Sequence, residues 1–251
     1  MNAEQEVIQF FEHLGVKITK IEEGEGKTPD FFVECKDASY LIELKEKFTD
    51  QNYLKAREKT LLRGEIFEEF LPTGRKNRIS QVIRSAVKQL SFANVKADFK
   101  LVWLYAKGHH PDFQIYDFES ALYGCEVIVD WGKEGGFSGY CYYYGNSEFF
   151  NHKENLDGAI ISDSEELKFC LNTCSNKYKK LKNSELCILL KDGVLDPKIL
   201  EEKGSALLVE SDVDRSNERA VMEHIVKKYA LNRAMRMPMQ QMAGTIALPE
   251  E

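Results

Sequence analysis

Residues 28–45 read Thr28-Pro29-Asp30-Phe31-Phe32-Val33-Glu34-Cys35-Lys36-Asp37-Ala38-Ser39-Tyr40-Leu41-Ile42-Glu43-Leu44-Lys45. Two β-prone runs, Phe31 to Val33 and Tyr40 to Leu44, flank a polar Lys36-Asp37-Ala38-Ser39 segment, the pattern of a β-hairpin with a short loop. A two-residue turn at Asp37-Ala38 pairs Lys36 with Ser39 and sets Asp30 opposite Lys45. Side chains alternate along a strand, so Glu43 and Lys45 leave one face while Tyr40, Ile42 and Leu44 leave the other. Cross-strand neighbours at such positions lie roughly 5 to 8 Å apart, close enough for Asp30 and Glu43 to share one cation with Lys45 beside it. A carboxylate pair suits a hard ion such as Mg²⁺ (or Mn²⁺), which is commonly held by one or two carboxylates plus substrate phosphate. A lysine beside the ion is placed to orient or deprotonate a water, or to stabilise charge on a phosphate.

In this arrangement Pro29-Asp30 followed by Glu43-Leu44-Lys45 resembles the motif of the PD-(D/E)XK nuclease superfamily, the restriction-endonuclease-like fold. The resemblance implies an α/β core of helix, three strands, helix and strand, a mixed sheet flanked by helices. It also implies a Mg²⁺-dependent nuclease, acting on DNA in a restriction- or defence-like role, with Asp30 and Glu43 on the metal and Lys45 toward water or phosphate. In that superfamily the first helix often adds an acid, for which Glu4 is the best match, and the second helix a glutamine, for which Gln81 and Gln89 are candidates. The alternative is a chain of the same fold that does not cut and serves as a nucleic-acid-binding or assembly subunit.

The order of elements fits that core. Val7, Ile8, Phe11 and Leu14 share a helical face that ends at Gly15, with Glu4 one turn earlier on the same face. Val16 to Ile21 reads as a strand, Glu22 to Lys27 as a flexible loop, and the hairpin follows. A helical insertion is expected over 46–78, helical from Asn52 to Phe70. Ile79, Val82, Ile83, Ala86, Val87 and Leu90 then mark a helix, and the apolar run Phe99 to Tyr105 a buried central strand. The core is thus complete within residues 1–107.

The remainder reads as an α/β C-terminal extension over 108–236, packed on the core or separate, with residues 237–251 expected to be disordered. Strands are expected at Glu126 to Trp131, Gly139 to Tyr144, Leu186 to Leu190 and Ala206 to Val209, with a glycine-rich connection at Gly132 to Gly136. Helices are expected at Pro197 to Glu202 and from a Ser216 cap onward. Tyr140, Tyr142, Tyr143 and Tyr144 read as sheet packing. His109 and His110 precede Pro111 with no acid or cysteine at ligand spacing, so they read as exposed loop residues. The six cysteines, scattered without a Cys-x-x-Cys pair, read as reduced thiols rather than a zinc or disulfide framework.

Charge bears on the partner. The chain carries a net charge of −7, but unevenly: residues 71–108 hold eight bases against one acid, and residues 111–170 twelve acids against three bases. Screening limits each group's reach to about 10 Å, so local charge matters more than the total. Arg75, Lys76, Arg78, Arg84 and Lys88 are therefore the candidate contacts to a nucleic-acid backbone. No apolar run approaches membrane-spanning length and the N-terminus lacks the order of a signal peptide, which makes a cytoplasmic location and no membrane partner the expectation. Homodimer formation is left open.

Overall fold

The computed structural model describes residues 2–22, 28–72, 74–132, 136–237 and 242–247. Helix α1 (Ala3–His13) is opened by Asn2, whose side chain accepts from Gln5 N at 2.9 Å, and is buried through Ala3, Val7 and Phe11. It leads into β1 (Lys17–Lys20), β2 (Phe31–Glu34) and β3 (Ser39–Phe48). Helix α2 (Gln51–Leu61) and strand β4 (Phe67–Pro72) make an excursion before α3 (Asn77–Phe92) and β5 (Phe99–Lys107) return to the sheet. Next come α4 (Pro111–Tyr123), β6 (Glu126–Asp130), β7 (Phe137–Tyr142), α5 (Glu148–Asn151), β8 (Gly158–Ser162) and β9 (Leu167–Leu171). The chain ends with α6 (Tyr178–Lys182), α7 (Glu185–Leu189), β10 (Val194–Leu195), α8 (Pro197–Glu202), β11 (Leu207–Leu208), α9 (Glu218–Tyr229), β12 (Ala234–Met237) and β13 (Met242–Ala247).

A mixed α/β architecture results. The central sheet has the order β1-β2-β3-β5-β8-β9-β10. Strands β1, β2 and β3 are antiparallel neighbours, whereas β3, β5 and β8 run parallel, as a helical crossover requires. One sheet face, with Tyr40, Ile42, Leu101 and Trp103, packs on α1, α6 and α7. The other, with Leu41, Val102 and Leu104, packs on Ile79, Ile83 and Ala86 of α3 and on Phe118 and Leu122 of α4. The second face also carries a four-stranded sheet of order β11-β7-β6-β12. Tyr142, Tyr143 and Tyr144 are buried there and Tyr123 makes edge contacts with the first two, so the tyrosine cluster packs rather than presents a stacking surface. Among the described residues, no helix is long and apolar enough to cross a membrane.

Of the two arrangements left open for the extension 108–236 the structure has the packed one, with β8, β9 and β10 continuing the same sheet that the first 107 residues begin. Three expectations change. The insertion 46–78 is helical only over Gln51–Leu61, because β3 runs on to Phe48 and Phe67–Pro72 is a strand. Residues 186–189, expected with Leu190 as a strand, belong to helix α7: Ser184 caps it, accepting from Cys187 N at 3.5 Å, and five apolar-rich residues are too few for periodicity to distinguish the two. The segment from 237 onward, expected to be disordered, contains β13, which pairs antiparallel with β4. Residues 238–241 and 248–251 of that segment lie outside the described residues, as do 23–27 of the expected flexible loop and 133–135 of the glycine-rich connection.

Candidate active site

The hairpin forms with a register two residues away from the expected one. Glu34 pairs with Ser39 and Cys35 N donates to Ala38 O at 2.9 Å, so four residues turn the chain. The longer loop is held from outside: Lys36 N donates to Glu185 Oε2 at 2.7 Å, and Asp37 Oδ2 accepts from Glu185 N at 2.9 Å. Continuing the observed Phe31–Ile42 pairing by one step sets Asp30 beside Glu43 rather than Lys45. A two-residue shift leaves every side chain on its original face, since the strand period is two. The predicted cluster therefore survives the error, and the two carboxylates stand closer together than expected.

Backbone and side chains then fix the group. Asp30 Oδ2 accepts from Leu44 N at 2.7 Å, which locks its carboxylate across the strand pair. Lys45 Nζ donates to Glu43 Oε1 and, at 3.0 Å, to Gln89 Oε1 on α3. Gln89 Nε2 in turn donates to Thr28 O at 3.4 Å, so it ties the helix to the chain just before Asp30. Glu43 has no exposed surface, and its Oε2 is buried with no hydrogen-bond partner. Burial raises the Glu43 carboxyl to about 7, with the charge of Asp30 adding to the rise and Lys45 opposing it. Asp30 is likewise raised by burial, against the Leu44 N–H and Lys45, with Glu4 adding repulsion. Glu4 thus lies within electrostatic reach of Asp30, while its Oε2 receives Lys20 Nζ at 2.6 Å. Gln81 is exposed on α3, eight residues or about 12 Å of helix from Gln89.

Next to Lys45 opens a cleft of about 470 Å³, bounded by Lys47, Asp50, Arg78, Val82 and Phe118. Its position between α3 and the start of α2 makes the excursion one of its walls.

The basic stripe is largely neutralised from within. Arg84 forks onto Glu148, with Nε to Oε2 at 3.0 Å and Nη2 to Oε1 at 2.9 Å, and Arg75 Nη2 lies 3.4 Å from the same Oε1. Burial alone would raise the Glu148 carboxyl, but hydrogen bonds from His152 and Arg84 outweigh it and hold it at about 2. Lys76 Nζ donates to buried Asp117 at 2.6 Å. Three of the five expected backbone contacts, Arg75, Lys76 and Arg84, therefore hold α4 and α5 against α3, which a sequence reading of charge blocks cannot foresee. Arg78 and Lys88 are exposed, and Arg78 lines the cleft.

One expectation about a metal-ligand set is overturned. His109 and His110, expected as exposed loop residues without an acid partner, are half-buried after β5, and β4 brings the buried Glu69 to both of them. No sequence spacing signals it, because the acid comes from a separate strand.

Comparison of the chain with protein-family models, with curated proteins and with solved structures gives no match.

Proposed function

We propose that this chain is a divalent-metal-dependent nuclease, acting on DNA, with the resembled restriction-endonuclease-like fold. The observation that carries the reading is Glu43: a fully buried carboxylate, raised to about 7, whose Oε2 has no partner while Asp30 stands beside it. Burying two like charges together is unfavourable, and the single Lys45 ammonium reaches only Oε1 of Glu43, so the donor set fits a further hard cation with oxygen ligands. Support also comes from the element order of α1, the antiparallel β1 to β3, the crossover α3 and the parallel β5, which is that of the resembled core.

Asp30 and Glu43 would hold the ion, and the ion would supply Lewis-acid polarisation of a phosphoryl oxygen and a more acidic bound water. The chain's own residues prepare the rest. The Leu44 N–H orients Asp30, leaving its other oxygen available. Gln89 and Glu43 hold the Lys45 ammonium beside the carboxylate pair, where it would stabilise charge on a phosphate bound to the ion. Arg78 supplies a further positive charge along the cleft next to Lys45. Glu4 acts at longer range, through the charge it places near Asp30.

Cleavage of supercoiled and linear DNA, single-stranded DNA and RNA with Mg²⁺ or Mn²⁺ tests the reading. Asp30→Ala and Glu43→Ala should each abolish cleavage and weaken Mn²⁺ uptake measured by calorimetry, with the fold retained. Lys45→Ala should lose cleavage and keep Mn²⁺ uptake. Cutting that survives all three changes would refute the assignment. One observation favours the non-cutting alternative in its assembly form, the internal use of Arg75, Lys76 and Arg84, which withdraws three of the expected backbone contacts. A folded, unmodified chain that neither cleaves nor binds nucleic acid would select it.

A further inference from the structure

We propose that Glu69, His109 and His110 form a second metal site, for a borderline-soft divalent ion of the zinc type, that fastens the α2–β4 excursion to the end of β5. The site is independent of the nuclease reading. Glu43 pairs in register with Val102 of β5, whereas the histidines follow Lys107, so about 20 Å of strand separates the two groups.

The spacing of the ligand atoms carries the inference. Glu69 Oε2 lies 3.4 Å from His109 Nε2 and 3.3 Å from His110 Nε2. These are long for charge-assisted hydrogen bonds, which run about 2.7–2.9 Å. They match the edge of a tetrahedron whose ligands sit about 2.0–2.1 Å from its centre, an edge of about 3.3–3.4 Å, as zinc with nitrogen and carboxylate oxygen requires. All three ligand atoms fall within 4.8 Å of one another.

A second observation is the state of the polar atoms there. His109 Nε2 and the Tyr53 hydroxyl are both buried and make no hydrogen bond of good geometry, although the Glu69 carboxylate stands beside each of them. Glu69 itself is 5% exposed. Unsatisfied buried groups are costly, and here one of them is an imidazole nitrogen aimed at a buried carboxylate. The two imidazole rings are 3.9 Å apart between centroids, a separation that two charged rings would resist and two neutral ligands of one ion would not. Imidazole and carboxylate together select zinc-type ions over Mg²⁺, which takes oxygen ligands.

The surroundings are built to keep these ligands in place. His109 N donates to Thr49 Oγ1 at 2.8 Å, and the same hydroxyl donates to His109 O at 3.2 Å. Gly108, with φ +104°, passes so close that a Cβ there would stand 2.6 Å from Thr49 Oγ1. The Tyr53 ring covers His109 and Phe113 meets the edge of His110. What the ion would do follows from the excursion's poverty of core: α2 buries none of its residues, and among the described residues β4 pairs with β13 alone. A metal joining β4 to the end of β5 substitutes for the missing apolar contacts, and thereby sets the wall of the cleft beside Lys45.

The test uses the untagged 251-residue chain, stripped with chelator and titrated with Zn²⁺ against a chromogenic competitor. We expect one Zn²⁺ per chain in the unmodified protein and in Asp30→Ala, and at least a tenfold loss of affinity in Glu69→Gln, His109→Ala and His110→Ala. Co²⁺ loaded into the unmodified protein should give the visible absorption of a tetrahedral nitrogen and oxygen site, a readout that needs no variant to fold. Zn²⁺ should also slow proteolysis within residues 49–76. Absence of 1:1 uptake, uptake unchanged in a Glu69→Gln/His110→Ala double variant, or a cobalt–thiolate band showing cysteine ligation would each overturn the proposal.

Discussion

Replacing Glu43 by Gln removes a charge that the fold holds at a disadvantage, and the size of the effect can be worked out. In the unfolded chain Glu43 titrates near 4.5, and in the metal-free fold near 7. Between those values the folded state binds the proton that the unfolded state has released, so stability is fully present below 4.5 and is lost as pH rises through 7. The shift corresponds to about 3 kcal/mol at pH 8, at about 1.36 kcal/mol for each pH unit of difference. The glutamine of the Glu43→Gln variant has no proton to lose and still offers Lys45 an acceptor oxygen. In chelator, urea unfolding should therefore give similar midpoints for the two proteins at pH 4.5 and a variant more stable by up to about 3 kcal/mol at pH 8, a midpoint rise of roughly 1 M or more. Adding Mn²⁺ at pH 8 should narrow or reverse that gap, because only the unmodified protein gains from the ion. A stability difference that is constant from pH 4.5 to 8, or a variant destabilised at both, would refute the claim that Glu43 is a buried charge awaiting a cation.

Arg84→Gln removes the forked partner of buried Glu148, and because Arg84 is half exposed and Arg75 and His152 stay beside the carboxylate it should cost about 1–2 kcal/mol in thermal or urea unfolding, with little change in affinity for DNA. Arg78→Ala should do the opposite: unchanged stability, weaker DNA binding, and a salt slope reduced by about 1. Equal salt slopes for Arg78→Ala and the unmodified chain would remove the cleft as the nucleic-acid path. Arg215 donates to four carbonyls, those of Tyr143, Val209, Ser211 and Val213, and stacks on Phe150. Arg215→Lys should consequently cost about 2 kcal/mol or more, since an ammonium cannot reproduce the planar fork; an unfolding midpoint within error of the parent would show the stack to be inconsequential.

Local physics made much of this molecule legible from its residues. Alternation along Tyr40 to Lys45 put Glu43 and Lys45 on one face, and helical spacing from Ile79 to Leu90 marked the apolar stripe of α3, because both periods are written in the order of apolar side chains; that this stripe covers the Glu43 face is a matter of tertiary packing. Even a register wrong by two kept Asp30 in the cluster. Gln89 was named without any means of preferring it to Gln81, since helix periodicity does not say which turn meets Lys45.

Whatever required two distant segments to meet was decided by the tertiary structure alone. The loop at Lys36-Asp37 is four residues long because Glu185 binds it, from a helix that the sequence suggested was a strand. Arg75 and Arg84 are paired within the chain because folding brings the buried Glu148 to them, and charge counted along the chain carries no information about which opposite charges will meet. Glu69 reaches His109 and His110 only when β4 is laid beside them. A metal-ligand set is visible in sequence when its members share a helix or loop, and invisible when strands from separate segments bring them together.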